Sequence, residues 1–297
     1  MTYNADVYCT QGSTHRMCQD YAISNSREPN GQIKGPAYVV VCDGCSGAEH
    51  SDFGARLLAR AAIRYKDHFI HTGDQLNRIL ATADVYRQTM GLHIQSLCAT
   101  LLIAAENQMG TMVTMVGDGG IYARRRDGGA SFFEFKYPSG APYYLRYSIS
   151  LDDEATYGEK FGWSRTKTIY DLSPQDEVIA SRVEDITKIP DVLHPSVEVM
   201  PITMQFNRNE YDLIAIMSDG ISAFETLTIT TTGKHTDLIP STQVLREVMA
   251  FKNTNGEFVQ RRCQRAFKQF EENKWKNTDD FSLGVVYMGI LEDKVEG

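Results

Sequence analysis

The apolar residues of this chain fall into short runs that turn-rich segments separate. Within the first part of the chain, such runs predict three β-strands, at residues 5–10, 20–24 and 37–42. Helical spacing of apolar residues begins at Ser51-Asp52, with Gly73 as the expected stop. A second amphipathic helix opens at Asp74 and carries apolar positions as far as Leu97. These two helices are long enough to cover one face of a sheet.

The rest of the chain returns to strands and then repeats the helix pair. Apolar runs predict further strands at residues 99–105, 111–116, 120–125, 131–135, 214–217 and 281–288. Helices are expected at residues 241–251 and 257–273, and the polar segment 228–235 is expected to be a loop or an exposed hairpin. The order of strands, helix pair, strands, helix pair and strand predicts a layered α+β fold rather than alternating βαβ units.

Residues 138–201 are harder to assign than the rest of the chain. They mix Pro, Gly, aromatic and charged residues, and only residues 144–150 and 177–180 look like strands. Connecting segments this long and uneven are usually functional or inserted. We therefore expect an irregular insertion here.

Composition narrows the possible functions. A chain of 297 residues with 42% apolar residues can bury a substantial core, and one large domain fits as well as two small ones. The net charge of −8 argues against a nucleic-acid-binding surface. No apolar run approaches the roughly 18 residues that a membrane span needs. The N-terminus lacks the features of a secretory signal, and six scattered cysteines suit reduced thiols, so we expect a cytoplasmic protein.

The segment Cys42-Asp43-Gly44-Cys45 has the spacing of a CxxC motif. A redox CxxC needs its first cysteine at a helix N-terminus, and a structural zinc site needs a second pair of ligands. Cys9 and Cys18 are the only cysteines nearby, and their spacing matches no common zinc pattern. We interpret these cysteines as buried or bystander thiols.

Five short acidic motifs are spread along the chain. Asp43, Asp118 and Asp219 each end an apolar run with an Asp-Gly step, and the other motifs are Gln19-Asp20 and Asp279-Asp280. Two carboxylates about 4 Å apart repel by roughly 4 kcal/mol at an effective dielectric constant of about 20. Convergence of these groups therefore requires bound cations or protonation, and the alternative is that they do not converge. We interpret the motifs as a metal site.

The motifs also carry a family resemblance, because they occur in order along nearly the whole chain. The first two are Gly12-Ser13-Thr14-His15…Gln19-Asp20 and Asp43-Gly44-Cys45-Ser46-Gly47-Ala48. The later ones are Cys98-Ala99-Thr100-Leu101-Leu102, Val116-Gly117-Asp118-Gly119, Met217-Ser218-Asp219-Gly220 and Asp279-Asp280-Phe281-Ser282. An Asp-Gly step alone is a common turn, but agreement across several motifs is specific. The chain resembles the bacterial branch of the type 2C metal-dependent protein phosphatases.

This resemblance implies a four-layer αββα sandwich, in which helix pairs flank two antiparallel sheets. It implies one catalytic domain over residues 1–297, with a flap within residues 138–201. The implied reaction is direct hydrolysis of phosphoserine or phosphothreonine esters at two Mg²⁺ or Mn²⁺ ions. An oxygen-only ligand set agrees with hard ions of this kind. The implied partners are a phosphorylated protein and a cognate Ser/Thr kinase, with no nucleic acid and no membrane.

The resemblance also assigns the metal ligands. Asp43 would bridge both ions, and the Gly44 carbonyl would bind one of them. Glycine suits that position because a bare backbone can approach a ligand closely. Asp219 and Asp279 would bind the other ion, and Asp280 takes the place of an Asn in the family motif, although Asp280 could replace Asp279 as the ligand.

Other residues receive less direct roles. The resemblance implies that Asp20 acts through metal-bound water as a catalytic residue, together with Asp43 and Asp219. Asp118 would help to hold a third ion, or it braces a turn by hydrogen bonding to the backbone. His15 stands where animal members of the family carry an Arg that grips substrate phosphate, and Arg16 is one place away, so either of them could bind phosphate.

Several departures from the family pattern keep a second function open. Cys45 stands where many eukaryotic members have a His that is proposed as general acid, and Ala223 replaces an Asp that supports the third ion. The alternative is a catalytically weak or inactive pseudophosphatase that binds phosphoproteins or senses a ligand.

Overall fold

The computed structural model describes residues 3–25, 27, 32–65, 73–186, 201–230 and 233–289. Its strands are β1 (Asn4–Thr10), β2 (Tyr21–Ser24), β3 (Tyr38–Cys42), β4 (Leu101–Asn107), β5 (Gly110–Val116), β6 (Gly119–Arg125), β7 (Ala130–Lys136), β8 (Thr166–Leu172), β9 (Val178–Asp185), β10 (Ile202–Asn207), β11 (Tyr211–Met217), β12 (Phe224–Thr230), β13 (Gly233–Leu238), β14 (Trp275–Asn277) and β15 (Phe281–Tyr287). Its α-helices are α1 (Ser51–Arg64), α2 (Gly73–Thr89), α3 (Leu151–Phe161), α4 (Ser241–Met249) and α5 (Phe258–Glu272).

Most of the strands form two antiparallel sheets. The larger sheet has seven strands in the order β1-β15-β11-β6-β7-β8-β9, and the smaller has five in the order β10-β5-β4-β3-β2. Strands β12, β13 and β14 form a separate three-stranded sheet. The inner faces of the two main sheets share one core, to which each contributes alternate apolar residues, among them Val39, Leu102, Ile121, Ile216 and Val286.

Helices cover both outer faces of this sandwich. Leu58 of α1 and Ile79 of α2 pack against the five-stranded sheet. On the opposite side, Val244 of α4 and Val259 and Phe270 of α5 pack against the seven-stranded sheet. The predicted α+β class and four-layer αββα arrangement are therefore confirmed. Among the described residues, no helix is long and apolar enough to cross a membrane.

The sequence predictions were wrong mainly in the expected insertion. Residues 144–150 were expected to form a strand, but Leu145–Ile149 is a 3₁₀ helix that leads directly into α3. The Ser150 hydroxyl caps α3 by accepting a hydrogen bond from the Asp153 amide at 3.1 Å, which favours the start of a helix where the strand was expected to end. Strands β8 and β9 then extend the large sheet, so residues 166–185 are regular. Residues 187–200 lie outside the described residues.

The first helix pair also differs from its predicted limits. The expected stop of the first helix at Gly73 follows residues 66–72, which lie outside the description, and α1 is described only as far as Arg64. The second helix was expected to reach Leu97, but α2 ends at Thr89. Gly91 follows in the left-handed region, with φ +69°, before a 3₁₀ helix at Ile94–Leu97. Within the polar segment 228–235, the described residues 228–230 of β12 pair with residues 233–235 of β13, whereas residues 231–232 lie outside the description.

Candidate functional site

Strand ends bring the acidic motifs to one end of the two main sheets. Asp43 follows β3, and its amide donates to the Thr100 hydroxyl at 2.9 Å while its carbonyl accepts from the Thr100 amide at 2.8 Å. Asp219 follows β11, where the Ser218 amide donates to the Ser282 carbonyl at 3.1 Å. Hydrogen bonds between neighbouring strands therefore fix the backbone positions from which the Asp43 and Asp219 side chains extend.

The carboxylate of Asp43 lies among the other acidic residues. Burial raises the pKa of Asp43 well above its ordinary value, and the charges of Asp20, Asp219 and Asp118 raise it further. Neighbouring like charges disfavour ionisation, which is why the pKa of Asp43 rises where carboxyl groups share a site. The structure thus brings together four of the acidic residues that the sequence analysis selected.

Asp20 is the most deeply buried of these acids. Its side chain is 2% exposed, and neither carboxylate oxygen has a hydrogen-bond partner among the described residues that meets normal geometry. Burial raises the pKa of Asp20 to about 7, although Ser282, Asp43 and Ser218 oppose this rise. Buried carboxylates are ordinarily paired or hydrogen-bonded. The unpartnered oxygens of Asp20 therefore fit a site that is completed by water or a cation.

Asp118 and Asp279 complete the acidic cluster. Burial raises the pKa of Asp118, and Asp219 and Asp279 raise it further, whereas Lys136 lowers it. Burial likewise raises the pKa of Asp279, with Asp219 as the next contributor. All five acidic motifs therefore interact at the same end of the molecule.

The neighbours Asp279 and Asp280 have very different surroundings. Asp280 is 2% exposed, and its carboxylate accepts hydrogen bonds from the Gly12 amide at 2.7 Å and the Gln19 amide at 2.5 Å. The Asp279 side chain is 43% exposed and accepts a bond from the Asp280 amide at 2.8 Å. The Asp280 carboxylate is thus occupied by protein donors, whereas Asp279 keeps oxygen atoms available to a ligand.

The two cations that were expected to grip phosphate are placed differently. His15 lies between two carboxylates, with Nε2 3.3 Å from Asp279 and Nδ1 3.1 Å from Asp280. Burial lowers the pKa of His15, but Asp280, Asp279 and Asp20 outweigh burial and raise it. Arg16 is exposed and forms no ion pair within the described part of the chain. His15 therefore braces the acidic turn, and Arg16 remains available to an anion in solvent.

Close backbone packing explains two of the motif glycines. A Cβ atom on Gly44 would lie 2.8 Å from the carbonyl oxygens of both Gln19 and Ser51. A Cβ atom on Gly220 would lie 1.9 Å from the Asp280 carbonyl oxygen. Any larger residue would push apart the loops that carry the carboxylates.

Sequence reasoning missed a buried carboxylate beside the site. Glu134 on β7 is 6% exposed, and its oxygens contact the Ser222 hydroxyl at 2.6 Å and the Lys136 ammonium at 3.3 Å. Ser222 belongs to the 3₁₀ turn that begins at Asp219. The available signal was a charged residue at position 134, on the same face of the predicted strand as Phe132.

An aromatic cluster, formed by Tyr143, Tyr144, Tyr147, Tyr157 and Trp163, borders the acidic residues. The rings of Tyr143 and Tyr157 meet edge to face at 5.1 Å, and the centroids of Tyr147 and Tyr157 are 4.8 Å apart. Tyr144 lies at the inner edge of this cluster. Burial raises the pKa of Tyr144, and its neighbours Cys45, Asp43 and Asp118 raise it further.

The donor set fits a hard divalent ion only if water supplies part of the coordination. Among the described residues, no group of three or more His, Cys, Asp and Glu side chains lies close enough to hold a metal ion. Mg²⁺, however, usually keeps several waters and takes only one or two protein carboxylates. Asp43, Asp219, Asp279 and the Gly44 carbonyl can supply such oxygen donors, and the unpartnered oxygens of Asp20 can accept from ordered water.

Comparison with known proteins agrees with this architecture. Two solved structures align over nearly their whole length: a bacterial serine phosphatase, at a TM-score of 0.52 and 11% identity, covering 97% of this chain and 98% of that one, and the serine/threonine phosphatase Stp1 from Staphylococcus aureus, at a TM-score of 0.52 and 12% identity, covering 98% and 96%. At such identities they show a shared fold. A search of curated proteins gives no match. A family model described as Protein phosphatase 2C matches residues 12–266, and the chain therefore belongs to the protein phosphatase 2C family.

Proposed function

We propose that this chain is a metal-dependent protein phosphatase that hydrolyses phosphoserine and phosphothreonine esters. The observation that carries the proposal is the acidic cluster, in which Asp43 interacts with Asp20, Asp118 and Asp219 while the Asp20 oxygens have no described partner. Such a cluster is stable at neutral pH only if cations or protons compensate its charge. Two Mg²⁺ or Mn²⁺ ions would supply that compensation.

Some residues of the site would hold the ions, and another would position a water molecule. Asp43, the Gly44 carbonyl, Asp219 and Asp279 would hold the ions. Asp20 would orient a water molecule, because its two buried oxygens can only accept hydrogen bonds when ionised. When bound, the ions would supply an activated water and neutralise the charge that develops on the phosphoryl group.

A third ion at Asp118 has weaker support. The charge of Lys136 lowers the pKa of Asp118, so an ammonium group already compensates this carboxylate in part. The β6–β7 register pairs Gly119 with Phe135, which sets Lys136 beside Asp118 at the end of the strands. Ala223 supplies no carboxylate. We therefore propose a site that needs two ions, with Asp118 as an accessory ligand.

Substrate contacts are proposed on two sides of the acidic cluster. Arg16 is the candidate contact to phosphate, because His15 is held between Asp279 and Asp280. On the other side, we propose that the aromatic cluster forms part of the flap expected within residues 138–201. Shortening its exposed turn at residues 138–140 should change discrimination among phosphopeptides more than turnover of an aryl phosphate; the reverse result would contradict a role in substrate choice.

We also propose the cellular compartment and the substrates of such an enzyme. A single catalytic domain would dephosphorylate cytoplasmic protein substrates of a Ser/Thr kinase. The family match supports the phosphatase class.

Hydrolysis of an aryl phosphate tests the proposal directly. Turnover should require Mg²⁺ or Mn²⁺ and stop in EDTA, and Asp43→Asn and Asp219→Asn should each lower it by about a hundredfold to a thousandfold, since removing one charge-stabilising group costs that order in rate. Asp74→Asn is the matched control, because Asp74 is exposed at the start of α2.

Two outcomes would overturn the proposal. Turnover that persists in EDTA would remove the metal-dependent mechanism. No turnover of the aryl phosphate or of phosphopeptides with either ion, in a chain that is folded, would favour the pseudophosphatase.

A further inference from the structure

Two cysteines that the site does not use lie in direct contact beside it. The Sγ atoms of Cys9 and Cys18 are 3.5 Å apart, and each is also 3.6 Å from the Asp20 carbonyl oxygen. From their spacing in the sequence these residues were expected to be buried or bystander thiols, because positions along the chain do not show that two sulfur atoms meet. Their contact gives them a different chemistry.

The two thiols differ in access. Cys9 is exposed, Cys18 is half-buried, and neither is in a disulfide. By contrast, Cys42 and Cys263 are 0% exposed. A small oxidant in solvent can therefore reach Cys9 directly, and the second sulfur is already in contact with the first.

We propose that Cys9 and Cys18 are a reversible oxidation site, which closes to a disulfide when hydrogen peroxide reaches it. The Cys9 sulfur takes one oxygen from the peroxide as the O–O bond breaks, which gives a sulfenic acid, and the other oxygen leaves as water. The Cys18 sulfur then attacks the Cys9 sulfur, the S–O bond breaks, and the hydroxyl leaves with the Cys18 proton as a second water. Two thiols and one peroxide thus give one disulfide and two waters, and an added dithiol reverses the reaction by exchange.

The disulfide would displace the loop that supports the Asp279-Asp280 motif. A disulfide needs the sulfurs about 2.0 Å apart, so they must approach by roughly 1.5 Å from their present contact. Cys9 is fixed in β1, where it pairs with Ser282 of β15. Cys18 lies in the loop that follows, so the loop is the part that moves.

That loop holds the last acidic motif at several points. Ser13 donates from its amide to the Asn277 carbonyl at 2.9 Å, and the Thr14 hydroxyl donates to the Thr278 carbonyl. The amides of Gly12 and Gln19 both donate to Asp280. Movement of the loop therefore loosens these bonds and displaces the carboxylates that they brace.

Peptide mapping of the peroxide-treated chain tests the bond itself. The chain should become about 2 Da lighter through loss of two hydrogens, and the Cys9 and Cys18 peptides should be joined until a dithiol is added. Cys9→Ser and Cys18→Ser should each abolish the cross-link, whereas Cys45→Ser should retain it. A Cys9 that goes to sulfinic acid, or that joins a second chain, would overturn the proposal. The parent chain alone decides this point, whether or not the variants fold.

Amide hydrogen exchange tests the consequence for the loop without any use of activity. Exchange within residues 11–20 should rise on oxidation and return after reduction, and unchanged exchange would overturn the predicted movement. The effect on turnover rests on the proposed function: oxidation should lower it by about tenfold or more, since displacements near 1 Å can cost far more than that. A chain that forms the bond but shows no phosphatase activity when reduced would refute the proposed function and leave the oxidation site standing.

Discussion

The two sides of the site are built in different ways. On the acidic side, backbone hydrogen bonds hold the residues that carry charge, as the Asp43–Thr100 pair and the Asp280 contacts to Gly12 and Gln19 show. On the aromatic side, packed rings hold one another, and the Tyr157 hydroxyl donates to the Ala141 carbonyl at 2.7 Å. The acidic side depends on strand pairing, whereas the aromatic side depends on the shapes of its side chains.

This difference separates the part of the site that strand pairing positions from the part that side-chain packing positions. Strand ends in a sandwich of this kind can deliver carboxylates with few constraints on other side chains. The aromatic cluster depends on each of its rings, because in a close-packed group a change in the volume of one side chain disturbs the packing of the others. We therefore expect the acidic side to set the reaction and the aromatic side to set its substrates.

The largest expected effect comes from removing a ring of the aromatic cluster. Tyr157 is 1% exposed, so Tyr157→Ala should lower the free energy of unfolding by about 4 kcal/mol through lost contacts and a cavity. Tyr86→Ala, at an exposed tyrosine, should cost less than about 1 kcal/mol. Urea unfolding measures both. If the two sides are separate, Mn²⁺ should still bind to folded Tyr157→Ala, and loss of binding would show that they are one unit.

The next effect distinguishes the neighbours Asp279 and Asp280. Asp280→Ala removes the acceptor of two backbone amides and should cost about 3 kcal/mol, because buried donors are then left unpaired. Asp279→Ala should cost about 1 kcal/mol or less but should weaken Mn²⁺ binding more. Urea unfolding measures the stability of each variant, and calorimetric titration measures its affinity for Mn²⁺. Equal losses of stability would contradict the division between a bracing and a ligating carboxylate.

The smallest effect concerns the bracing of the Asp219 turn. Glu134→Gln keeps an acceptor for the Ser222 hydroxyl but removes the charge that faces Lys136, so it should cost about 1 kcal/mol. Glu159→Gln, on the exposed face of α3, should be neutral within error. A cost equal to that of the control would mean that the Glu134–Lys136 pair does not stabilise the turn.

The same contrast explains what the sequence could predict. Asp43 and Asp219 each follow an apolar run in the sequence, and such runs predict strands, so the position of both residues at strand ends could be predicted. Their roles as metal ligands stay predictions. The β12–β13 hairpin and the second helix pair follow from the same kind of local pattern.

Features that depend on distant contacts were not predictable. The bracing role of Asp280 arises from amides about 260 positions away in the sequence, at Gly12 and Gln19. The aromatic segment around Tyr144 was expected to be a strand, since β-prone rings favour that state in isolation. Here the Ser150 cap is a signal that a closer reading could have used, whereas the burial of the rings comes only with the complete fold.

The central claim is that the acidic side is a metal site, and equilibrium dialysis against Mn²⁺ measures this most directly. The account predicts about two ions per parent chain and per Asp74→Asn control, and about one or fewer in Asp43→Asn, because Asp43 is the proposed bridging ligand. Binding to the parent that equals binding to folded Asp43→Asn would contradict it.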